Sequence, residues 1–228
     1  MPETKPVAIV TGATGNLGRA VSLRLIEDGF EIIGIGGSAP PAKPVSPTSY
    51  SYIQGDATDA ASMAQVADTV MQRFGRIDAL VHTVGGFAMG PTVYETTDVD
   101  LDKMIGMNVK SVLATAHALT PPMIAAGRGK IVFVSALAAG HGVARMGAYV
   151  AAKSAVARLT EAMSDEVRHQ GVNVNCIMPS AMATPQNRAT MGQASMVPLE
   201  DVADVCAFLV SDRARALHGA AIPVRGLT

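Results

Sequence analysis

Tyr149 and Lys153 stand four residues apart in Tyr149-Val150-Ala151-Ala152-Lys153, a spacing that sets two side chains on one face of a helix. A free phenol titrates near about pH 10, too high for efficient acid–base work near neutrality. A neighbouring ammonium stabilises the phenolate and brings that value down, so the pair has the makings of a proton-transfer device. Tyr-x-x-x-Lys is also an ordinary surface pair. Its weight here comes from its place, on the helix after the fifth expected strand. Ser135 ends that strand, where a hydroxyl would hold a carbonyl oxygen against Tyr149. Asn108, in Met107-Asn108-Val109-Lys110, is an amide among apolar neighbours, and a buried amide needs partners. Ordering a water that relays protons to Lys153 would give it one.

A second group of residues suits a nucleotide. Thr11-Gly12-Ala13-Thr14-Gly15-Asn16-Leu17-Gly18 follows the first apolar run and opens the first helix. Glycines at 12, 15 and 18 allow a tight turn, and the free N–H groups at the positive helix end then face a pyrophosphate. About 20 residues further on, an acid would hold a ribose 2′-hydroxyl. The sequence there reads Gly36-Gly37-Ser38. Without the carboxylate there is room for a 2′-phosphate, with Ser38 as a hydrogen-bond partner, which favours NADP(H) while leaving NAD(H) open. Asp56, in Gly55-Asp56-Ala57, either accepts from an adenine amino group or serves as a turn residue. His82-Thr83-Val84-Gly85-Gly86 closes the fourth strand; its glycines let the backbone pass close to a ligand, and His82 is either catalytic or, the reading favoured, structural.

The elements that must position these residues follow from periodicity. Val7–Val10, Glu31–Ile35, Tyr50–Gln54, Ala79–Thr83, Lys130–Ser135, Val172–Ile177 and Ala220–Val224 are short and apolar or β-branched. Between them, helices are expected over Leu17–Asp28, Asp59–Phe74, Asp98–Leu119, Gly147–Gln170 and Leu199–Ser211. Residues 36–49 hold Pro40, Pro41, Pro44 and Pro47, a density that replaces a crossover helix with a loop. Alternating strands and helices predict an α/β chain: one domain over residues 1–228, with a doubly wound parallel sheet of Rossmann type covered by helices on both faces. Ligands bind such sheets at the carboxyl ends of the strands, where every motif above falls. Residues 180–198 read as a substrate loop.

Composition narrows the class. The 228 residues are 49% hydrophobic and 4% aromatic with no tryptophan, so the core is aliphatic. Thirteen methionines read as core filler or, alternatively, as the lining of a flexible apolar pocket. A net charge of −1 without a basic run excludes a nucleic-acid footprint. Two cysteines, Cys176 and Cys206, lie in apolar stretches, which argues against a disulfide framework or a metal site and for a reducing compartment. The short polar start, Met1 to Lys5, and the lack of any apolar run of about 18 residues predict a cytoplasmic protein that does not enter membranes.

Taken together, the glycine turn, Gly55-Asp56, Val84-Gly85, Asn108, Ser135, the Tyr149/Lys153 pair and Pro179-Ser180-x-x-x-Thr184 resemble the short-chain dehydrogenase/reductase family over essentially the whole chain. The resemblance implies hydride transfer between a nicotinamide and a small carbonyl, alcohol or quinonoid compound. Tyr149 would be the acid/base, Lys153 its pKa partner, Asn108 the relay and Thr184 the partner of the nicotinamide carboxamide. It also implies a homodimer or homotetramer, through the helices over 98–119 and 147–170, with Ala151, Ala155 and Ala162 permitting close packing.

Three departures stand out. Asn16 takes the place of the family's second glycine, His82-Thr83 replaces Asn-Asn, and Ser135 lies fourteen residues before Tyr149 where thirteen is usual, which would land on Ala136. Either the loop is one residue longer or the serine role is vacant. The missing crossover helix and Thr184-Pro185-x-Asn187-Arg188-x-x-Met191 are similar to the dihydropteridine reductase branch. A different reading, that of a sensor or scaffold which binds the dinucleotide without turnover, is tested by calorimetry and turnover together. The pocket walls are expected from Phe87–Tyr94, Leu137–Met146 and Met182–Val197.

Overall fold

The computed structural model describes residues 5–40, 45–46, 48–192 and 194–227. Seven strands, β1 (Val7–Thr11), β2 (Glu31–Gly36), β3 (Tyr50–Gln54), β4 (Ala79–His82), β5 (Gly129–Val134), β6 (Val172–Pro179) and β7 (Ala221–Val224), form one sheet in the order β3-β2-β1-β4-β5-β6-β7. Every pairing is parallel. The order reverses at β1, between β2 and β4, and that reversal opens a crevice at the strands' carboxyl ends. The expected doubly wound sheet is the one observed.

Side chains alternate between the two faces of each strand, and the core divides accordingly. Ile9, Ile33, Leu80, Ile131, Phe133, Val174 and Cys176 form one apolar cluster with α2 (Ala60–Phe74), α4 (Ser111–Ala125) and α5 (Gly147–Val167). Ala8, Val10, Ile32, Val81, Val132, Val134 and Ile177 form the other, with α1 (Asn16–Glu27) and α7 (Leu199–Val210). Both cysteines are buried free thiols, Cys176 in the first cluster and Cys206 in the second, so the sheet separates them. Burial pushes the Cys176 thiol up to about 11 and the Cys206 thiol up to about 12.

At the far end of the sheet Asp78 binds the first strand to the fourth. Its Oδ2 accepts from the Val7 N–H at 2.8 Å, and it pairs with Arg76 at 2.7 Å and Arg128 at 3.2 Å. Burial raises its carboxyl, but the Arg76 and Val7 hydrogen bonds and the two guanidinium charges outweigh that, leaving it below its ordinary value.

The structure revises several local expectations. The helix predicted over 98–119 is broken into α3 (Asp98–Ile105), a π-helical turn over Gly106–Lys110, and α4, which continues through Pro121-Pro122 to Ala125. The stretch 180–198 contains a short helix, α6 (Pro185–Met191), capped by the Thr184 hydroxyl. No described residue between β2 and β3 is helical; Pro41, Pro44 and Pro47 of the expected loop lie outside the described residues, as do residues 1–4 of the start. Among the described residues no helix is long and apolar enough to cross a membrane.

Candidate active site

The glycine turn is shaped to take something negative. Gly12 has φ +67°, and a Cβ there would sit 2.8 Å from Thr83 Oγ1. At Gly18 a Cβ would lie 2.2 Å from the Gly12 carbonyl oxygen, so only glycine lets α1 start this close to β1. Gly15 caps α1 without a side-chain hydrogen bond, so the first N–H groups of the helix face the crevice. Thr14, Gly15 and Asn16 are exposed there; Leu17 is buried, leaving its backbone N–H as its contribution. Asn16 Nδ2 reaches across to Gln186 Oε1 on α6 at 3.2 Å. This cradle and helix end fit a dinucleotide pyrophosphate.

The turn after β2 is pinned from β3. Tyr52 Oη donates to the Ser38 carbonyl at 2.8 Å and Gln54 Nε2 to that of Gly37 at 3.0 Å. A Cβ at Gly36 would come within 2.6 Å of Tyr52 Oη, so this side chain stands where the acid of a diol-binding site would begin. Asp56 Oδ1 accepts from the Thr58 N–H (2.8 Å) and hydroxyl (2.7 Å), which hold its carboxyl low, while Ala57 is buried. The turn role of Asp56 is thus observed on one oxygen, and Oδ2 remains for a ligand.

At the other side of the crevice Asn108, Gly85 and Lys153 meet. A Cβ at Gly85 would be 2.8 Å from Asn108 Oδ1 and 3.0 Å from Lys153 Nζ, so the glycine makes the approach possible. Asn108 is fully used: Oδ1 accepts from the Gly86 N–H at 3.1 Å, and Nδ2 donates to the carbonyls of Gly86 (3.1 Å) and Met104 (2.9 Å). It ties the strand-end loop at Val84–Gly86 to the π turn. With both protons spent on protein, its side chain offers a water only its second Oδ1 lone pair.

Lys153 Nζ donates to the Val134 carbonyl at 2.9 Å, and burial pulls it down to about 8. Tyr149 is pushed up to about 12 by burial, the reverse of the direction expected from an adjacent ammonium. The ring of Phe87 packs edge-on to that of Tyr149 with centroids 5.1 Å apart.

Ser135 is a correction. Its hydroxyl does not hold the substrate side of Tyr149; it donates to the Lys153 backbone carbonyl at 2.7 Å and is 2% exposed. Two residues beyond Phe133, Ser135 shares that residue's face of the strand, the one covered by α5. Residue 136, at the usual spacing, is alanine and is buried. Pro179 is buried at the end of β6, and Thr184 accepts the Asn187 N–H at 3.1 Å as the α6 cap, which leaves its hydroxyl proton for another partner.

Several contacts were not legible in the sequence. His82 is wholly buried between two hydroxyls, with Nδ1 2.8 Å from Thr11 Oγ1 and Nε2 3.2 Å from Ser111 Oγ. Ser111 donates to the Met107 carbonyl at 2.8 Å, so it accepts from His82, and Thr11 must donate to Nδ1. Burial, and then the Lys153 charge, lower the imidazole to about 3, so it stays neutral. The reading of His82 as structural is the one this geometry supports. A cavity of about 70 Å³ adjoins Tyr149, lined from 88–104 and 145–149; no described residue of 180–198 lines it. The spacing of Ser111, three residues after Asn108, was the one available hint of the chain through His82.

The sequence model described as short chain dehydrogenase matches residues 6–194. A cyclohexanol dehydrogenase of Rhodococcus sp. (strain TK6) is 30% identical, covering 99% of this chain and 97% of that one. The 3-oxoacyl-[acyl-carrier-protein] reductase FabG of Staphylococcus aureus (strain Mu50) is 28% identical, covering 96% of each. Among solved structures, ElxO with NADP bound superposes with a TM-score of 0.91 at 22% identity, over 97% of this chain and 98% of that one, a likeness of fold.

Proposed function

Since the chain belongs to the short chain dehydrogenase family, we propose that it reduces a small carbonyl or quinonoid compound, or oxidises the corresponding alcohol, with Tyr149 as general acid/base and NADP(H) as the preferred cofactor. The observation that carries this reading is the meeting of Lys153 and Asn108 around Gly85, one helical turn from Tyr149, beside a glycine cradle fit for a pyrophosphate. Gly12, Thr14, Gly15, Asn16, Leu17 and Gly18 would hold the pyrophosphate, Ser38 the 2′-phosphate, Asp56 and Ala57 the adenine, and Val84, Gly85, Pro179 and Thr184 the nicotinamide half. The bound nicotinamide supplies or accepts the hydride. Tyr149 Oη then gives its proton to the carbonyl oxygen, and the positive charge of Lys153 holds the phenolate that remains.

The Gly36-Gly37-Ser38 turn supports NADP(H): it has no carboxylate to repel a 2′-phosphate, and Tyr52 and Gln54 hold its carbonyls toward β3. Ser135 works from behind, steadying the turn of α5 that carries Lys153. Self-association would use the groove of about 520 Å³ along α4 and α5, which is lined by Leu113, Ala116, Leu159, Ala162 and Met163.

The test is oxidation of NADPH and NADH against a panel of carbonyl compounds, with Tyr149→Phe beside the wild type. Turnover should fall at least 100-fold in the variant while calorimetric affinity for the cofactor persists. Tight cofactor binding with no turnover in the wild type would instead establish the sensor, which the withdrawal of Ser135 from the substrate side favours.

A further inference from the structure

The cavity beside Tyr149 has a cationic wall. It is lined by Arg145, Met146 and Tyr149 on one side and by Ala88, Lys103 and Met104 on the other. It also holds one carboxylate, Asp100, whose Oδ2 is engaged at the start of α3. That oxygen accepts from the Thr97 hydroxyl at 2.7 Å and the Thr97 N–H at 3.1 Å, which cap α3. The Thr97 hydrogen bonds hold that carboxyl low, with nearby Lys103 adding to the effect. Among the described residues no carboxylate pairs with Arg145, and the residue is exposed.

Arg145 also occupies a place that its backbone resists. With φ +63° it is the sole non-glycine with positive φ among the described residues. Its carbonyl is fixed there by the Gly90 N–H at 2.8 Å, which joins the two walls. Glycine would adopt this conformation without cost, whereas an arginine pays for it in strain. An unpaired guanidinium on a strained backbone, four residues before the acid/base, is a group kept for what it binds. The cavity holds roughly two water volumes. That suits one compact group rather than a whole substrate, and a guanidinium meets a planar carboxylate through two parallel N–H bonds.

We propose that Arg145 determines specificity and that the substrate is a short oxo acid, or the hydroxy acid it interconverts with, whose carboxylate Arg145 receives beside Tyr149. The proposal rests on the oxidoreductase reading and refines it.

Matched oxo acids and their methyl esters test it, with the acid-to-ester ratio of kcat/KM as readout. The wild type should favour the acid about tenfold to hundredfold, the range of a charge-assisted hydrogen bond. Arg145→Gln should collapse that ratio through KM, and Arg145→Lys should restore part of it. Arg145→Gly should melt several degrees higher than the wild type yet lose the same preference, which separates charge from folding. Calorimetric titration of the acid into cofactor-loaded Tyr149→Phe gives a readout free of turnover: binding should weaken at least tenfold on adding Arg145→Gln. A wild type that treats acid and ester alike, or acid binding indifferent to Arg145→Gln, overturns the inference and leaves the oxidoreductase reading intact. Failure of every carbonyl compound, with acid binding still dependent on Arg145, would sink that reading instead.

Discussion

Lys153 shows how a residue's burial becomes a measurable pH effect. The residue is 6% exposed; its ammonium ordinarily titrates at 10.5, but in the folded chain it loses its proton at about 8. Between those values the unfolded chain holds the extra proton, so stability rises with pH across the window. Below pH 8 both states are charged and the folded one bears the full desolvation cost. Lys153→Met should therefore be the more stable protein at pH 7, and the wild type should recover roughly 3 kcal/mol on it between pH 8 and 10.5. Urea titrations of the two proteins at several pH values would check this, and a constant difference would contradict it. The residue pair itself was legible, since four-residue spacing needs only a helix. The direction of the Tyr149 shift was not, because it follows from how deeply the folded chain buries the phenol, which spacing along a helix does not show.

Among the elements, the π turn is one that sequence periodicity could not supply. Its apolar pattern reads as plain helix over 98–119. What opens the ladder is a set of side chains that take backbone carbonyls, Asn108 on Met104 and Ser111 on Met107. His82 anchors the latter to β1 through Thr11. His82→Leu would orphan the Thr11 hydroxyl proton and cut the chain, so it should cost about 1–3 kcal/mol and lower turnover by loosening the turn that presents Asn108. His82→Asn, which keeps a donor and an acceptor, should recover part of both. Denaturant midpoints together with kcat would show it; full stability and activity in His82→Leu would rule out the chain. Ser135 failed to read for a similar reason: which way a strand-end hydroxyl turns follows from the pleat, and one residue of slip exchanges the faces. The strain at Arg145 left no sequence signal, since positive φ is expected of glycine.

For the molecule as a whole, the number of strands and the doubly wound parallel sheet were readable because buried parallel strands are nearly unbroken apolar runs. The substrate wall was readable only in part. The cavity takes Ala88, Gly90, Pro91, Arg145 and Met146 from the expected walls, while no described residue of 180–198 lines it. The groove along α4 and α5 is where assembly can be tested. If two chains meet there, Ala162→Arg should place charge in the contact and convert the assembly to a smaller one, as measured by light scattering at matched concentration. An unchanged mass would move the interface elsewhere.

The two thiols, one on each side of the sheet, give this chain an internal clock. Thiols buried this deeply, with acidities weakened to about 11 and 12, are inert to alkylating reagents until their own layer opens. Cys176 reports the layer of α2, α4 and α5, and Cys206 that of α1 and α7. Labelling rates read by mass spectrometry would thus time the breathing of each half separately. Equal rates would mean that the sheet comes apart as one cooperative unit, and unequal rates would name the half that lets go first.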